Sequence, residues 1–213
     1  MPYTAAPTVT WSAEPDRRPG TPLVVALHGR GADEASFAQL APHLPQDATV
    51  AFVRAPLAEG GGYAWFANRG VGRPLPDSLA ATAGWLFDWL DTEAAGHTSV
   101  SLLGFSGGMA MAGGLLLARP ERFTAAVLLS GTLPDAGLPE AQGRLTGVPV
   151  FWGRDVADRV IPADLVTRTG TWLRENSGAR LEEHRYPGQG HGISLPELAD
   201  ASAFLWRAWE RVA

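Results

Sequence analysis

One serine of the sequence lies in a setting that favours nucleophilic chemistry. Ser106 is the central residue of Gly104-Phe105-Ser106-Gly107-Gly108, a G-x-S-x-G motif that follows an apolar run and precedes a helical pattern. In that setting the serine occupies a strained turn that exposes its hydroxyl, and the flanking glycines avoid collisions with neighbouring backbone. The alternative is a glycine-rich turn whose serine has no catalytic role. Such a turn would require neither a preceding strand nor a following helix. We therefore predict that Ser106 is a nucleophile.

A histidine in a second glycine-rich segment is the candidate general base. His191 lies in residues 188–192, Gly-Gln-Gly-His-Gly, just after the last predicted strand. A loop at the carboxyl edge of a sheet is where a base can reach a nucleophile on a neighbouring turn. The other four histidines are predicted to lie on strands, on a helix or in turns, with His28 as a structural turn residue: His28, His43, His97 and His184.

Two aspartates are candidates for the acid that orients His191. Asp155 and Asp158 lie in one segment between a predicted strand and a predicted helix. An acid in this role fixes the imidazole and stabilises its charged form. The order serine, aspartate, histidine along the chain is that of α/β-hydrolases, and it differs from the orders of the well-known serine proteases. The pattern alone does not choose between the two aspartates, since either can be a solvated loop residue or a helix cap.

Two backbone N–H groups are predicted to stabilise an oxyanion. Gly107 opens the helix after the nucleophile, and Arg30 lies in residues 27–33, directly after the first long apolar strand. An α/β-hydrolase takes its two oxyanion donors from these places. Four apolar residues near the predicted site are expected to line a modest substrate pocket: Trp65, Phe66, Met109 and Leu133.

The elements that must position these residues alternate between short apolar runs and longer helical patterns. Strands are predicted at Val9–Trp11, Leu23–Leu27, Thr49–Val53, Ser99–Phe105, Ala125–Leu129, Pro149–Trp152 and Arg180–Tyr186. Helices are predicted at Ser36–Leu44, Ser78–Leu90, Gly107–Arg119, Ala163–Asn176 and Pro196–Val212. This alternation predicts an α/β fold with a mostly parallel central sheet and helices on both faces. Arg180–Tyr186 is more polar than the other strands and is expected nearer an edge.

Length and composition restrict the classes of protein that fit. With 213 residues, we expect a single domain over residues 1–213, with Gly/Pro-rich insertions at 54–76 and 131–148 and no large cap domain. The net charge of −5, without a basic block, argues against nucleic acid and anionic membranes as partners. Cysteine and lysine are both absent, which excludes disulfides, cysteine nucleophiles and Schiff-base chemistry. No pair of histidines has metal-ligand spacing.

Further expectations concern cofactors, partners and location. The predicted chemistry needs no cofactor and no metal, and its partner is a small-molecule ester. The N-terminus does not resemble a signal peptide, and no apolar run is long enough to span a membrane, so we expect a cytoplasmic protein without membrane insertion. Whether the chain forms a homodimer is left open.

These segments together resemble the phospholipase/carboxylesterase family of small α/β-hydrolases, which includes acyl-protein thioesterases. The resemblance rests on residues 27–29, 104–108, 129–134, 158–162 and 190–192, which occur in the family's order. It implies an esterase with a shallow site, no lid and no metal, and it favours Asp158 as the acid, because the family's acid precedes a Val/Ile-Pro pair. Two features depart from the family: Gly107 replaces a usual glutamine, and the loop from Gly153 to Asp158 is longer than usual, which keeps Asp155 as an alternative.

The expected function is hydrolysis of carboxylic esters, or of thioesters, with small to medium acyl chains through an acyl-enzyme. Three alternatives are compatible with the same fold. A non-catalytic ligand-binding protein on the same fold would not need all three triad groups. A dienelactone-hydrolase-like activity generally uses cysteine, which this chain lacks. Perhydrolysis by the same residues is the third.

Overall fold

A seven-stranded sheet forms the centre of the protein. The computed structural model describes residues 3–134, 138, 141–188 and 190–211. The spatial order of the strands is β1-β3-β2-β6-β7-β8-β9, and all neighbouring pairs are parallel except β1 with β3. The bounds are β1 Val9–Trp11, β2 Leu23–Leu27, β3 Thr49–Val53, β6 Val100–Phe105, β7 Ala125–Leu129, β8 Pro149–Asp155 and β9 Arg180–Tyr186. The predicted mostly parallel sheet is thus confirmed, and β9 lies at an edge as expected.

Helices cover both faces of this sheet. The bounds are α1 Glu34–Phe37, α2 Pro76–Glu93, α3 Gly107–Ala118, α4 Ala163–Glu175 and α5 Leu195–Glu210. Apolar residues of α2, α3 and α4 pack into one core cluster, and those of α1 and α5 pack into another on the opposite face. This is a three-layer arrangement, and no large cap domain is present among the described residues.

The central strand β2 shows why the sheet was predictable. All five of its residues are buried, with alternate side chains entering different clusters: Leu23, Val25 and Leu27 on one face, and Val24 and Ala26 on the other. Successive side chains of a strand point to opposite faces, so a strand covered on both faces must be apolar at every position. The continuous apolar run is therefore the sequence signature of this location.

One helix and one loop differ from the prediction. The segment predicted as a helix at Ser36–Leu44 forms the short α1, capped by Asp33, followed by a 3₁₀ segment at Ala38–His43 that contains Pro42. A proline inside a helix removes a hydrogen bond and disfavours the α conformation of the residue before it, which explains the change. Residues 54–76 contain an antiparallel hairpin, β4 Leu57–Glu59 and β5 Gly62–Ala64, where only an insertion was expected.

The described residues contain neither a membrane-spanning helix nor a cluster of metal ligands. None of the helices in this part of the chain has the length and apolarity that a membrane crossing requires. No group of three or more His, Asp or Glu side chains in the same part of the chain is arranged to hold a metal ion.

Candidate active site

The three residues predicted for the triad are joined by hydrogen bonds at the carboxyl edge of the sheet. Nε2 of His191 lies 2.9 Å from Oγ of Ser106. Nδ1 of the same ring lies 2.8 Å from Oδ2 of Asp158. The side chains of His191 and Asp158 are 17% and 9% exposed, so this chain of contacts is largely shielded and open to solvent mainly at the histidine. A hydroxyl, an imidazole and a carboxylate in this order can remove and return one proton.

Ser106 lies on a strained turn between β6 and α3. Its backbone has φ 54° and ψ −115°, a conformation that L-residues rarely adopt and that costs about 1–3 kcal/mol. The adjacent strand and helix hold this turn, since the N–H of Ser106 donates to the carbonyl of Leu129 and its carbonyl accepts from Ala110. An added Cβ at Gly104 would overlap the carbonyl of Gly108. The hydroxyl is thereby directed away from the sheet.

The two glycines after Ser106 have different surroundings, and this difference predicts opposite effects of substitution. A Cβ at Gly108 would overlap the carbonyl oxygen of Leu27 on β2, whereas a Cβ at Gly107 would lie 3.3 Å from the backbone nitrogen of Arg30. We expect Gly108→Val to abolish ester turnover and to lower the melting temperature, because backbone cannot yield as a flexible side chain can. Gly107→Gln should keep the fold and measurable activity. Thermal melting and p-nitrophenyl butyrate hydrolysis of both variants check this, and wild-type behaviour of Gly108→Val would contradict the strained turn.

Asp158 is fixed by its own loop. Its Oδ1 accepts the backbone N–H groups of Val160 and Ile161 at 2.8 and 3.0 Å, which leaves Oδ2 directed at His191. The N–H of Arg159 donates to the carbonyl of Gly190 at 2.9 Å, so the loops that carry the acid and the base are joined directly. Of the two aspartates, the structure brings Asp158 to His191.

Asp155 has different contacts. It is the last residue of β8 and is 5% exposed, and its carboxylate accepts the N–H of Ala157 at 2.7 Å. It lies near Glu197 of α5, whose pKa is raised to about 7, chiefly by burial and further by the charge of Asp155. Asp155 is thus a buried residue at the base of the loop that carries Asp158.

The imidazole of His191 also packs on an aromatic ring. Phe105, the residue before Ser106, lies with its ring centroid 5.1 Å from that of His191. A Cβ at Gly29 would lie 3.1 Å from the ring of Phe105, so the absence of a side chain at position 29 makes room for this ring. The ring contact restrains the histidine between its two hydrogen-bond partners.

Gly107 lies close to the backbone nitrogen of Arg30. The position of a Cβ on Gly107 is 3.3 Å from the nitrogen of Arg30, and neither N–H donates to another described residue. Gly107 is the first residue of α3, where the helix leaves its N–H groups free and its dipole favours negative charge. The pair is therefore available to an oxygen bound beside Ser106.

The hairpin β4–β5 positions Arg30, a contribution that sequence reasoning missed. Gly31 donates its N–H to the carbonyl of Tyr63, and Tyr63 donates to Ala32, both at 2.9 Å. The guanidinium of Arg30 forms an ion pair with Glu59 on the same hairpin. The adjacent glycines at 60–62 signal a tight turn in the sequence, but nothing local indicates that the hairpin pairs with residues thirty positions earlier.

His28 has a structural role, as expected. Its Nδ1 lies 2.7 Å from the carbonyl of Gly29, and its Nε2 accepts the N–H of Ala55 at 3.1 Å. The ring is fully buried, and burial lowers its pKa below the usual value. A neutral imidazole with its proton on Nδ1 satisfies both contacts, so His28 connects the ends of β2 and β3.

A cavity of about 280 Å³ opens beside Ser106 and His191. Its apolar wall consists of Ala64, Trp65, Phe66, Val71, Ala110, Val160 and Ile161. Trp65 is held by its indole N–H, which donates to the carbonyl of His28 at 2.8 Å. The two predicted aromatic residues, Trp65 and Phe66, therefore lie where a pocket was expected.

The other two residues predicted to line the pocket lie elsewhere, so that part of the prediction needs correction. Met109 is fully buried, and its side chain packs near Gly131 at the end of β7. Leu133 is 1% exposed, and its side chain points towards Gly113 of α3. Both face the core because their backbone positions direct the side chains away from the cavity. The closeness of Met109 and Leu133 to site residues in the sequence does not determine which way their side chains point.

The mostly parallel sheet, the strained serine turn at the end of β6 and the helices on both faces define an α/β-hydrolase fold. Solved structures show the same architecture. The Bacillus cereus carboxylesterase superposes with a TM-score of 0.81 at 23% identity, covering 96% of this chain and 95% of that one. Esterase PE8 has a TM-score of 0.76 at 24% identity, with coverages of 96% and 100%.

The chain belongs to the phospholipase/carboxylesterase family, whose model matches residues 11–208. It is a hydrolase of ester bonds. Acyl-protein thioesterase 1 of Debaryomyces hansenii is 24% identical over 213 residues, which cover 88% of this chain and 91% of the relative. The putative hydrolase MhqD of Bacillus subtilis is 26% identical over 197 residues, with coverages of 90% and 93%.

Proposed function

We propose that this protein is a serine carboxylesterase that acts on small to medium acyl esters, or thioesters, through Ser106, His191 and Asp158. The observation that carries the proposal is the continuous pair of hydrogen bonds, 2.9 Å from Ser106 to His191 and 2.8 Å from His191 to Asp158. The strained conformation of Ser106 supports it, because such conformations persist where function requires them.

The proposed reaction has two similar halves. Oγ of Ser106 attacks the acyl carbonyl carbon while Nε2 of His191 takes the hydroxyl proton. The N–H groups of Arg30 and Gly107 donate to the oxyanion. The carbonyl re-forms, the bond to the leaving group breaks, and His191 gives its proton to the departing alcohol or thiol.

Water then releases the acyl group. It takes the place of the leaving group, His191 accepts one of its protons, and the oxygen attacks the acyl-enzyme carbonyl. Collapse of the second tetrahedral intermediate returns the proton to Oγ of Ser106 and frees the acid. The carboxylate of Asp158 stabilises the imidazolium in both halves. All these groups come from the chain itself.

The size of the cavity supports the proposal that the acyl group is small to medium in length. Its volume of about 280 Å³ lies just below the usual range of ligand pockets, roughly 300–1,000 Å³. Trp65, buried to 1% exposure, and Ala110 of α3 form parts of its wall that are fixed by the core. A long chain would have to extend past this wall into solvent, where burial contributes nothing to its binding.

Two other functions, ligand binding without catalysis and perhydrolysis, explain the geometry of the site less well than ester hydrolysis does. A binding protein would gain nothing from a serine in a strained backbone conformation hydrogen-bonded to a histidine. Perhydrolysis would share the acyl-enzyme and replace water by hydrogen peroxide in the second half. No contact among the described residues favours peroxide over water, so hydrolysis remains the proposal.

A series of p-nitrophenyl esters from acetate to palmitate tests the proposal. We expect kcat/KM to be highest between acetate and hexanoate and to be at least about tenfold lower for palmitate, because added methylenes beyond the cavity lose their binding contribution. Ser106→Ala protein provides the blank for each ester. Activity confined to long-chain phospholipids, with none on butyrate or hexanoate, would contradict the expected substrate size.

A further inference from the structure

Two polar groups in the cavity wall, one on Thr132 and one on Asn68, make no hydrogen bond within the described part of the chain, although Oδ1 of Asn68 accepts the N–H of Gly70. The hydroxyl of Thr132 makes no hydrogen bond with any described residue, although the residue is only 4% exposed and lines the cavity. The amide nitrogen of Asn68, also in the wall, has no partner in the described part of the chain. The remaining polar wall residues are engaged: Arg30 with Glu59, and Ser106 with His191.

The unpaired hydroxyl of Thr132 contrasts with the other buried threonines near the site. Thr169 of α4 accepts the N–H of Leu133 at 3.2 Å, and Thr82 of α2 donates to the carbonyl of Trp65 at 2.7 Å. The Oγ1 atom of Thr132 is open to the cavity, and valine would fill the same volume without placing a polar group there. A hydroxyl that faces the substrate cavity is available instead to a bound molecule.

The backbone around Thr132 is held in place from both sides. A Cβ on Gly131 would lie 2.7 Å from the carbonyl oxygen of Ser106, so the preceding residue packs directly against the nucleophile turn. The following residue, Leu133, is tied to Thr169 through its N–H. The position of Thr132 relative to Ser106 is therefore fixed before a substrate enters.

A glycine opposite Thr132 leaves its hydroxyl uncovered. Gly72 lies in the loop that follows β5, has φ +70° and also lines the cavity. A Cβ at this position would lie 3.2 Å from Oγ1 of Thr132 and 2.5 Å from Cδ1 of Leu165. Only glycine fits this conformation and this space, and its lack of a side chain keeps the path from the cavity to the hydroxyl open.

We propose that Thr132 is a specificity-determining residue that hydrogen-bonds a hydroxyl or carbonyl substituent on the acyl group, with Asn68 as a second polar contact. The preferred substrates would be esters of hydroxy- or oxo-acids rather than of plain alkanoic acids. This inference rests on the proposed serine esterase function and adds the chemistry of the acyl group. A plain alkyl chain in the same place would leave the Thr132 hydroxyl unpaired, which is how a polar wall group discriminates.

A matched pair of esters and a matched set of variants test the role of Thr132. The esters are p-nitrophenyl 3-hydroxybutyrate and p-nitrophenyl 3-methylbutyrate, which differ by a hydroxyl in place of a methyl group. The quantity measured is the ratio of their kcat/KM values. Intrinsic ester reactivity is the same for every variant, so it cancels when ratios are compared between variants.

We expect Thr132→Val to lower the hydroxy-to-methyl ratio by about three- to tenfold, the effect of one neutral hydrogen bond. Most of the change should appear in kcat/KM for the hydroxy ester, while the methyl ester is hydrolysed as well as before or better. Thr132→Ser keeps the hydroxyl and should keep the ratio. Thr49→Val removes a buried hydroxyl at the first residue of β3, at the opposite end of the strand from the site, so it should lower the melting temperature and leave the ratio unchanged.

The outcomes separate this inference from the proposed function. A ratio that stays within twofold of wild type in Thr132→Val, or that falls equally in Thr132→Ser or Thr49→Val, overturns the role of Thr132 while ester hydrolysis stands. Undiminished hydrolysis of both esters by Ser106→Ala overturns the proposed function itself. A selective fall in Thr132→Val with recovery in Thr132→Ser supports the inference.

Discussion

Replacing Ser106 with alanine should lower kcat for p-nitrophenyl butyrate by about 10⁶-fold, the loss measured when a catalytic triad is broken as a unit. The substitution removes the oxygen that lies 2.9 Å from Nε2 of His191. His191 then has no nucleophile to deprotonate except water, and no acyl-enzyme forms. The proposed oxyanion donors, the N–H groups of Arg30 and Gly107, stay in place with the cavity, so a small residual activity over the uncatalysed rate should remain.

A fluorophosphonate probe gives an independent measurement of the same prediction, because it reacts covalently with activated serines. The wild-type protein should be labelled at one site, and Ser106→Ala should not be labelled. Ser202→Ala is the matched control, since Ser202 is a serine of α5 whose hydroxyl donates only to the carbonyl of His43. It should be labelled and active like wild type. If Ser106→Ala kept turnover within about tenfold of wild type, Ser106 would not be the nucleophile.

The interior strands of the sheet were predictable because they are buried on both faces. Six of the seven strands of the central sheet have bounds within one residue of the prediction, or identical to it, among them β2, β3 and β7. Burial on both faces demands a continuous apolar run, and that requirement is local in sequence. Fold class and strand positions could therefore be read without any knowledge of long-range contacts.

The choice between the two aspartates could not be made from the sequence pattern alone, because it depended on where one strand ends. β8 was predicted to end at Trp152, and it continues to Asp155, which pairs with Tyr186 of β9. The extension includes the polar Arg154, so apolarity no longer marks the strand. Since Asp155 lies within the strand, the loop begins after it and carries Asp158 to His191.

The walls of the cavity were the least predictable part of the site. Trp65 and Phe66 were identified from a loop, whereas Met109 and Leu133 face the core. Thr132, one residue from Leu133, was not identified at all, because a threonine in a loop has no distinctive pattern. Side-chain direction in such segments is set by contacts between elements distant in sequence, such as Gly72 with Leu165.

Replacing Asp158 with asparagine should lower kcat/KM by about 10⁴-fold, as the equivalent change does in a comparable triad. The loop geometry explains why the amide cannot substitute. Oδ1 of Asp158 accepts two backbone N–H groups, from Val160 and Ile161, so asparagine must keep its oxygen there. Its NH₂ group then faces Nδ1 of His191 and forces that nitrogen to accept. The proton moves to Nε2, and the ring can no longer take a proton from Ser106.

Asp155→Asn is the matched comparison, since it makes the same chemical change three residues earlier in the same segment. Its carboxylate accepts from Ala157, a contact that an amide oxygen can keep, and the carboxylate 2.8 Å from Nδ1 of His191 is that of Asp158. We expect a loss of less than about tenfold in kcat/KM, far smaller than the loss expected from changing the triad acid. The measurement is p-nitrophenyl butyrate hydrolysis by both variants, with thermal melting to show that each is folded. A larger loss in Asp155→Asn than in Asp158→Asn, with both proteins folded, would assign the acid to Asp155, because only the residue that sets the tautomer of His191 can produce the larger effect.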